Sequence, residues 1–304
     1  MTQETLAPAT PPAAAAVFGE HLARAQAFVR ILADTGISRG LIGPREAPRL
    51  WDRHVLNCAV VERLIPRVGT TQRVVDVGSG AGLPGIALAI ARPDLEVHLV
   101  EPLARRTAWL TETVEELGLR NVTVHTARAE SMWDELEASW VTARAVAGIV
   151  QLAEWTLPLL SDGGSLLALK GSKAYAELDD NREALKRLGV TDAAIEEVGG
   201  DVLAEPTTVV RLSVAHAVDG RSLRGRTPSS SGSARRRGDR PRGTGRKAPS
   251  RAVGAEPRGG DGPRAGGEPA SDGGAAPSGS GRGGASAGDG VRGIGRAGHG
   301  GRTS

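Results

Sequence analysis

One cysteine, Cys58, stands among 304 residues, and aromatic residues make up only 3% of the chain. A lone thiol excludes a disulfide framework and a cysteine-rich zinc site, so no metal is expected. No run approaches the roughly 18 consecutive apolar residues of a membrane span. The first residues also lack a basic stretch leading into an apolar one. A cytoplasmic protein without membrane contact is therefore expected.

Residues 221–304 are poor in what a core needs. They hold four Leu, Ile or Val residues and no aromatic, but 24 of the 42 glycines. Their charge is also distinct: residues 1–220 carry 21 Lys+Arg against 29 Asp+Glu, a net −8, whereas residues 221–304 carry 17 against 6, a net +11. Such a segment cannot bury enough apolar surface to offset its chain entropy. The expected organisation is a disordered arm over 1–16, a helical N-terminal cap over 17–71, a Rossmann-like domain over 72–217 and a disordered tail over 218–304.

What is present in the middle of the chain is alternation. Helical spacing over residues 17–37 and 49–65 is followed by strand patterns at 73–77, 96–101, 122–126, 141–146 and 165–170. Helical segments lie between most of them, at 84–91, 103–117 and 150–160, and another follows at 174–188. A closing strand pair is expected at 195–202 and 207–215. This order predicts an α/β fold, a doubly wound, mostly parallel sheet behind a helical cap.

The richest run is Val74-Val75-Asp76-Val77-Gly78-Ser79-Gly80-Ala81-Gly82-Leu83-Pro84-Gly85. It reads as a buried strand passing through a glycine turn into a helix, with Pro84 suited to the first helical position. Glycines there let a ligand touch the backbone at the carboxyl end of the sheet. Gly80 to Gly85 also matches G-x-G-x-x-G, which keeps a nicotinamide dinucleotide open. The register favours another nucleoside, because the glycine directly after the strand is Gly78 and Leu83 stands where the last glycine would be needed. Asp76 would repel a pyrophosphate but could hold an ammonium group, directly or through water, as on S-adenosylmethionine. Glu101, 25 positions on, is placed to accept two ribose hydroxyls, which either cofactor carries.

With Arg128-Ala129-Glu130, Arg144-Ala145-Val146, Leu169-Lys170-Gly171 and the helical run LWDRHVLN at 50–57, this turn resembles one family. It is similar to the bacterial small-subunit rRNA guanine-N7 methyltransferases, the glucose-inhibited division protein B or RsmG family, over about residues 17–215. The resemblance implies a class I methyltransferase fold and S-adenosylmethionine as methyl donor. It also implies a guanine N7 of 16S rRNA, free or in the small ribosomal subunit, as acceptor. By resemblance Gly78 and Leu83 line the cofactor, Ala129 and Glu130 flank its adenine, and Arg144 reaches the site from the fourth strand; Gly80, in the same turn, is a further cofactor-binding candidate. Lys170 is a candidate substrate contact.

The chemistry is compatible. Guanine N7 carries a lone pair and no proton, so in-line attack needs no general base, and orientation can supply roughly 7–11 kcal/mol of a barrier. No Asp/Asn-Pro-Pro-aromatic motif follows the fourth strand, which argues against an exocyclic amine as acceptor. Cys58, on an apolar helix face, reads as a buried hydrophobe and not as a nucleophile. Because N7 must stay open, Arg144 would meet a phosphate, O6 alone, or the cofactor carboxylate. His54 reads as structural first, with RNA or site contact as the other reading.

An acidic domain needs a local basic patch to meet RNA, for which Arg45, Arg49, Arg53, Arg73, Lys170 and Lys173 are candidates. The basic tail is either an electrostatic arm or an out-of-frame extension of GC-rich coding. A small-molecule methyltransferase, a nicotinamide oxidoreductase and a non-catalytic RNA-binding module on the same fold stay open at this point.

Overall fold

The structure, a computed structural model, describes residues 7–144 and 146–223. Among the described residues seven strands form one sheet in the order β3-β2-β1-β4-β5-β7-β6. They are β1 (Gln72–Val77), β2 (Leu95–Glu101), β3 (Val122–Thr126), β4 (Ala138–Arg144), β5 (Leu160–Leu169), β6 (Val190–Val198) and β7 (Thr207–Val214). β1 pairs in parallel with both β2 and β4, so the strand order reverses between β1 and β4. A crevice opens at such a reversal, beyond the carboxyl ends of the strands. Only β7 runs antiparallel to its neighbours β5 and β6.

The period of two along each strand gives the sheet two cores. Val74, Val97, Leu99, Leu167 and Val209 face one side, and Val75, Val100, Leu166, Ala168, Val210 and Leu212 face the other. The cap's short helices α1 (Pro12–Phe18), α2 (Leu22–Ile31) and α3 (Asn57–Ala59) precede the sheet. Later come α4 (Gly85–Ala91), α5 (Ala104–Glu116), α6 (Ile149–Thr156) and α7 (Ala174–Arg187). Helix α4 is buried from Gly85 to Ile90, as a helix apolar all round must be. It is enclosed because Phe18, Phe28, Leu32, Leu50 and Val55 of the cap join its core on the first face. Each such side chain contributes about 1.5–3 kcal/mol when fully buried. The change at residues 71–72 is thus one of secondary structure and not a gap between cores.

Several expected boundaries move. The arm expected through Ala16 is already helical from Pro12, with Ala14 buried and the Trp51 indole donating to Pro8 O at 3.3 Å. The second cap helix, expected as one piece, is a 3₁₀ stretch Pro44–Arg49, π turns Leu50–Leu56, α3 and a 3₁₀ turn Val60–Leu64. Pro48, inside the first of these, cannot donate to an α-helical ladder. The sixth strand starts at Val190, not 195, and ends before Gly199. The chain expected to lose order at 218 keeps a 3₁₀ turn at Gly220–Ser222, capped by Asp219 accepting from Arg221 N at 2.9 Å. The rest of the expected tail lies outside the described residues.

Candidate active site

β1 ends at Val77, and the chain turns at once. Gly78 N donates to Val100 O at 2.8 Å, while Gly82 N and Leu83 N both reach Ser79 O. Gly78 has φ +73°, and a Cβ there would stand 3.0 Å from Val146 Cγ2, so the turn needs glycine for both conformation and space. Its open side faces a cavity of about 670 Å³, within the range of small-molecule sites.

Glu101 closes β2 and lines this cavity while only 2% exposed. Its Oε2 accepts from Gly80 N and its Oε1 from Leu103 N, both at 3.1 Å, with Arg106 Nη1 at 3.5 Å. Two backbone amides therefore fix the carboxylate, and each oxygen keeps acceptor capacity for a hydroxyl. Ala129 and Glu130 enter from the 3₁₀ turn Ala129–Ser131 after β3. Gly78, Gly80, Leu83, Glu101, Ala129, Glu130 and Arg144 all line the one cavity.

One acid and one lysine are tied up within the chain. Asp76 is fully buried, with both carboxylate oxygens engaged within the chain: its Oδ2 accepts from Gly85 N at 3.1 Å and its Oδ1 from the Thr142 hydroxyl at 3.0 Å. It ties β1 to β4 and to the start of α4. Burial pushes its pKa up from 3.8 to about 6. Of the pair Asp76 and Glu101, only Glu101 faces the crevice. Lys170 does not line the cavity; its ammonium donates to Ala147 O at 2.8 Å and to Glu177 Oε1 at 3.0 Å, joining the end of β5 to α7.

Arg144 ends β4 and meets the cap. Its Nη2 is 2.6 Å from His54 Nδ1, and its Nη1 donates to Cys58 Sγ at 3.0 Å and His54 O at 3.4 Å. On the other side of the ring, His54 Nε2 lies 2.9 Å from Glu46 Oε2. Burial and the Arg144 charge hold His54 below the usual histidine range, and the hydrogen bond from His54 holds Glu46 below the carboxylate range. Burial pushes the Cys58 thiol up, in keeping with an inert buried group. Glu46 and the apolar stretch Leu41-Ile42 also line the cavity, and the residue pattern singles out neither. Their only signal is proximity to the helical run containing His54.

Among the basic candidates, Arg45, Arg49 and Lys173 are exposed. Arg53 lies 3.8 Å from Glu46. Arg73 sits at the amino end of β1, the edge away from the crevice, where it pairs with Glu96. Arg106 and Arg128 line the cavity and were not among the candidates. Among the described residues no helix is long and apolar enough to cross a membrane.

A family model described as rRNA small subunit methyltransferase G, GidB, matches residues 21–204. The ribosomal RNA small subunit methyltransferase G of Thermobifida fusca is 52% identical over 228 residues, covering 74% of this chain and 95% of the relative. The protein of the same name from Pseudarthrobacter chlorophenolicus is 54% identical over 202 residues, 66% of this chain and 92% of the relative. That of Mycolicibacterium smegmatis is 47% identical over 233 residues, 76% of this chain and 97% of the relative.

Proposed function

Because this chain belongs to the rRNA small subunit methyltransferase G family, we propose that its crevice binds S-adenosylmethionine and directs the methyl group to N7 of a guanine in 16S rRNA. The family sets aside the nicotinamide reading that the G-x-G-x-x-G run had left open. The observation that carries the proposal is Glu101: a carboxylate fixed by two backbone amides, opposite a glycine turn whose open side faces the same cavity. That arrangement fits a ribose diol lying along the turn, with Asp76 buried beneath it and out of a ligand's reach.

When bound, the donor supplies an electrophilic methyl group on a sulfonium. The chain's own residues then hold and orient. Glu101 accepts the ribose hydroxyls, Leu83 and Ala129 supply apolar walls, Glu130 borders the adenine side, and Arg144 offers N–H donors to an oxyanion. Since N7 has no proton to lose, no side chain is needed as a base, and rate comes from placing the guanine in line with the methyl carbon. Val146 and Trp155 add apolar surface to that space.

The test is transfer of labelled methyl from S-adenosylmethionine to 16S rRNA and to assembled small subunits, followed by digestion to nucleosides. Label in 7-methylguanosine is expected. Label in another nucleoside would overturn the N7 assignment, and rRNA binding without any label would favour the non-catalytic module.

A further inference from the structure

The cap sends one part-buried polar chain into the site that the glycine turn does not require. An arginine has donors only, so the 2.6 Å contact from Arg144 Nη2 makes His54 Nδ1 an acceptor. The ring proton is then on Nε2, which donates to Glu46 Oε2 at 2.9 Å. With Nη1 directed at Cys58 Sγ and His54 O, one end of the guanidinium is fully engaged. Among the described residues Nε–H takes no partner and Nη2 keeps a second N–H, and Arg144 lines the cavity, so a pair of donors that can fork onto an oxyanion is left for a ligand.

We propose that Glu46 and His54 are positioning residues: they fix the guanidinium of Arg144 so that this fork meets an oxyanion in the cavity. The anion is the carboxylate of the amino-acid nucleoside or a phosphate of the RNA. The proposal rests on the reading of the cavity as the methyl-donor site. An arginine held in advance loses less side-chain freedom on binding than one that must be ordered by its ligand. The same chain ties the order of the cap, through the Pro44–Arg49 stretch, to the end of β4.

The experiment uses the full-length protein and compares His54→Phe, His54→Asn and Glu46→Ala. Calorimetry measures S-adenosylhomocysteine and 5′-methylthioadenosine, which share the nucleoside but differ in the carboxylate; kinetics with 16S rRNA give KM and kcat. If the fork holds the carboxylate, His54→Phe weakens S-adenosylhomocysteine about tenfold and leaves 5′-methylthioadenosine unchanged. If it holds a phosphate, both nucleosides bind as before and KM for RNA rises about tenfold at nearly constant kcat. In either case His54→Asn, which keeps an acceptor near the Nδ1 position, recovers most of the loss. Unchanged binding and KM in a folded His54→Phe protein would overturn the proposal, as would equal weakening of both nucleosides without rescue by Asn. Should His54→Phe not fold, Glu46→Ala at the rim carries the same expectation in weaker form, and its indifference would be equally fatal. A wild-type protein that binds neither nucleoside would instead reject the site reading itself.

Discussion

Replacing Asp76 by asparagine exchanges a buried carboxyl for an amide of nearly the same shape. Oδ1 of the amide can still accept from Gly85 N, and the Thr142 hydroxyl can turn to accept from the new NH₂. What disappears is the titration. In the native protein burial raises the Asp76 pKa from 3.8 to about 6, so between these values the folded state binds more protons than the unfolded chain. Stability from this group is complete below pH 3.8 and is lost as pH rises through about 6, a total of about 3 kcal/mol. About 1.4 kcal/mol of that falls between about pH 5 and pH 7.5, where the rest of the protein is tractable. Urea unfolding of both proteins across this range cancels the other carboxylates and leaves the Asp76 contribution. Asp76→Asn should gain on the wild type as pH rises, by a midpoint difference of about half a molar for an m-value near 2–3 kcal/mol/M. Parallel pH profiles would show that the Asp76 carboxyl is hydrated or repaired by a neighbour, and its role as a buried tie between β1, β4 and α4 would fall.

Gly78→Asp places a side chain at φ +73° against Val146 and a charge where the ligand lies, so S-adenosylhomocysteine binding should vanish in calorimetry while the far-UV spectrum persists. Lys170→Met breaks bonds to Ala147 O and Glu177 and should lower stability by about 1–2 kcal/mol in urea unfolding. KM for rRNA should stay as it was, and a raised KM at unchanged stability would restore a substrate role. Charge removal at the exposed Arg45 and Arg49 should weaken rRNA binding and reduce the slope of log K against log salt by about one for each phosphate no longer neutralised. An unchanged slope would move the RNA face elsewhere. His54, held below the usual histidine range, favours the neutral form in the fold, so its stabilisation is present above about pH 6.5 and is lost on acidification. His54→Asn should flatten that acid limb of the unfolding profile.

The half of the site nearest β1 is legible in the sequence because its chemistry is local. A buried strand, a glycine after its last residue and an acid at the end of the next strand lie within 30 positions, and each carries a signature of its own. The burial of Asp76 is not anticipated although the means to place it are in the sequence. Side chains alternate along a strand, so Asp76 shares the face of Val74 and turns toward α4, away from the ligand. Gly85, nine residues on, marks the close approach: a Cβ there would overlap Leu99 and crowd the Asp76 carboxylate. The start of the cap departs from expectation for a different reason. Pro11-Pro12 followed by alanines reads as low complexity, yet proline at the first helical position and alanine after it are what a helix start prefers.

The other half of the site cannot be read in this way, since its parts acquire meaning only across distance in the chain. Glu46 and His54 are eight residues apart, a rise of about 12 Å along a regular α-helix and beyond direct hydrogen-bond reach for most rotamers. They meet because a 3₁₀ stretch gives way to π turns between them. Arg144 joins them from 90 residues further on. The sequence marks Arg144 by its place in the fourth strand and leaves His54 open to site contact, but nothing in the residue types joins this acid, imidazole and guanidinium until the fold brings them within hydrogen-bond reach. The consequence is a division of labour with a testable direction. Substitutions in the glycine turn and at Glu101 should act on the nucleoside whatever the acceptor. Substitutions at Glu46, His54 or the neighbouring cap should act through Arg144, and so spare any ligand that carries no oxyanion for its fork.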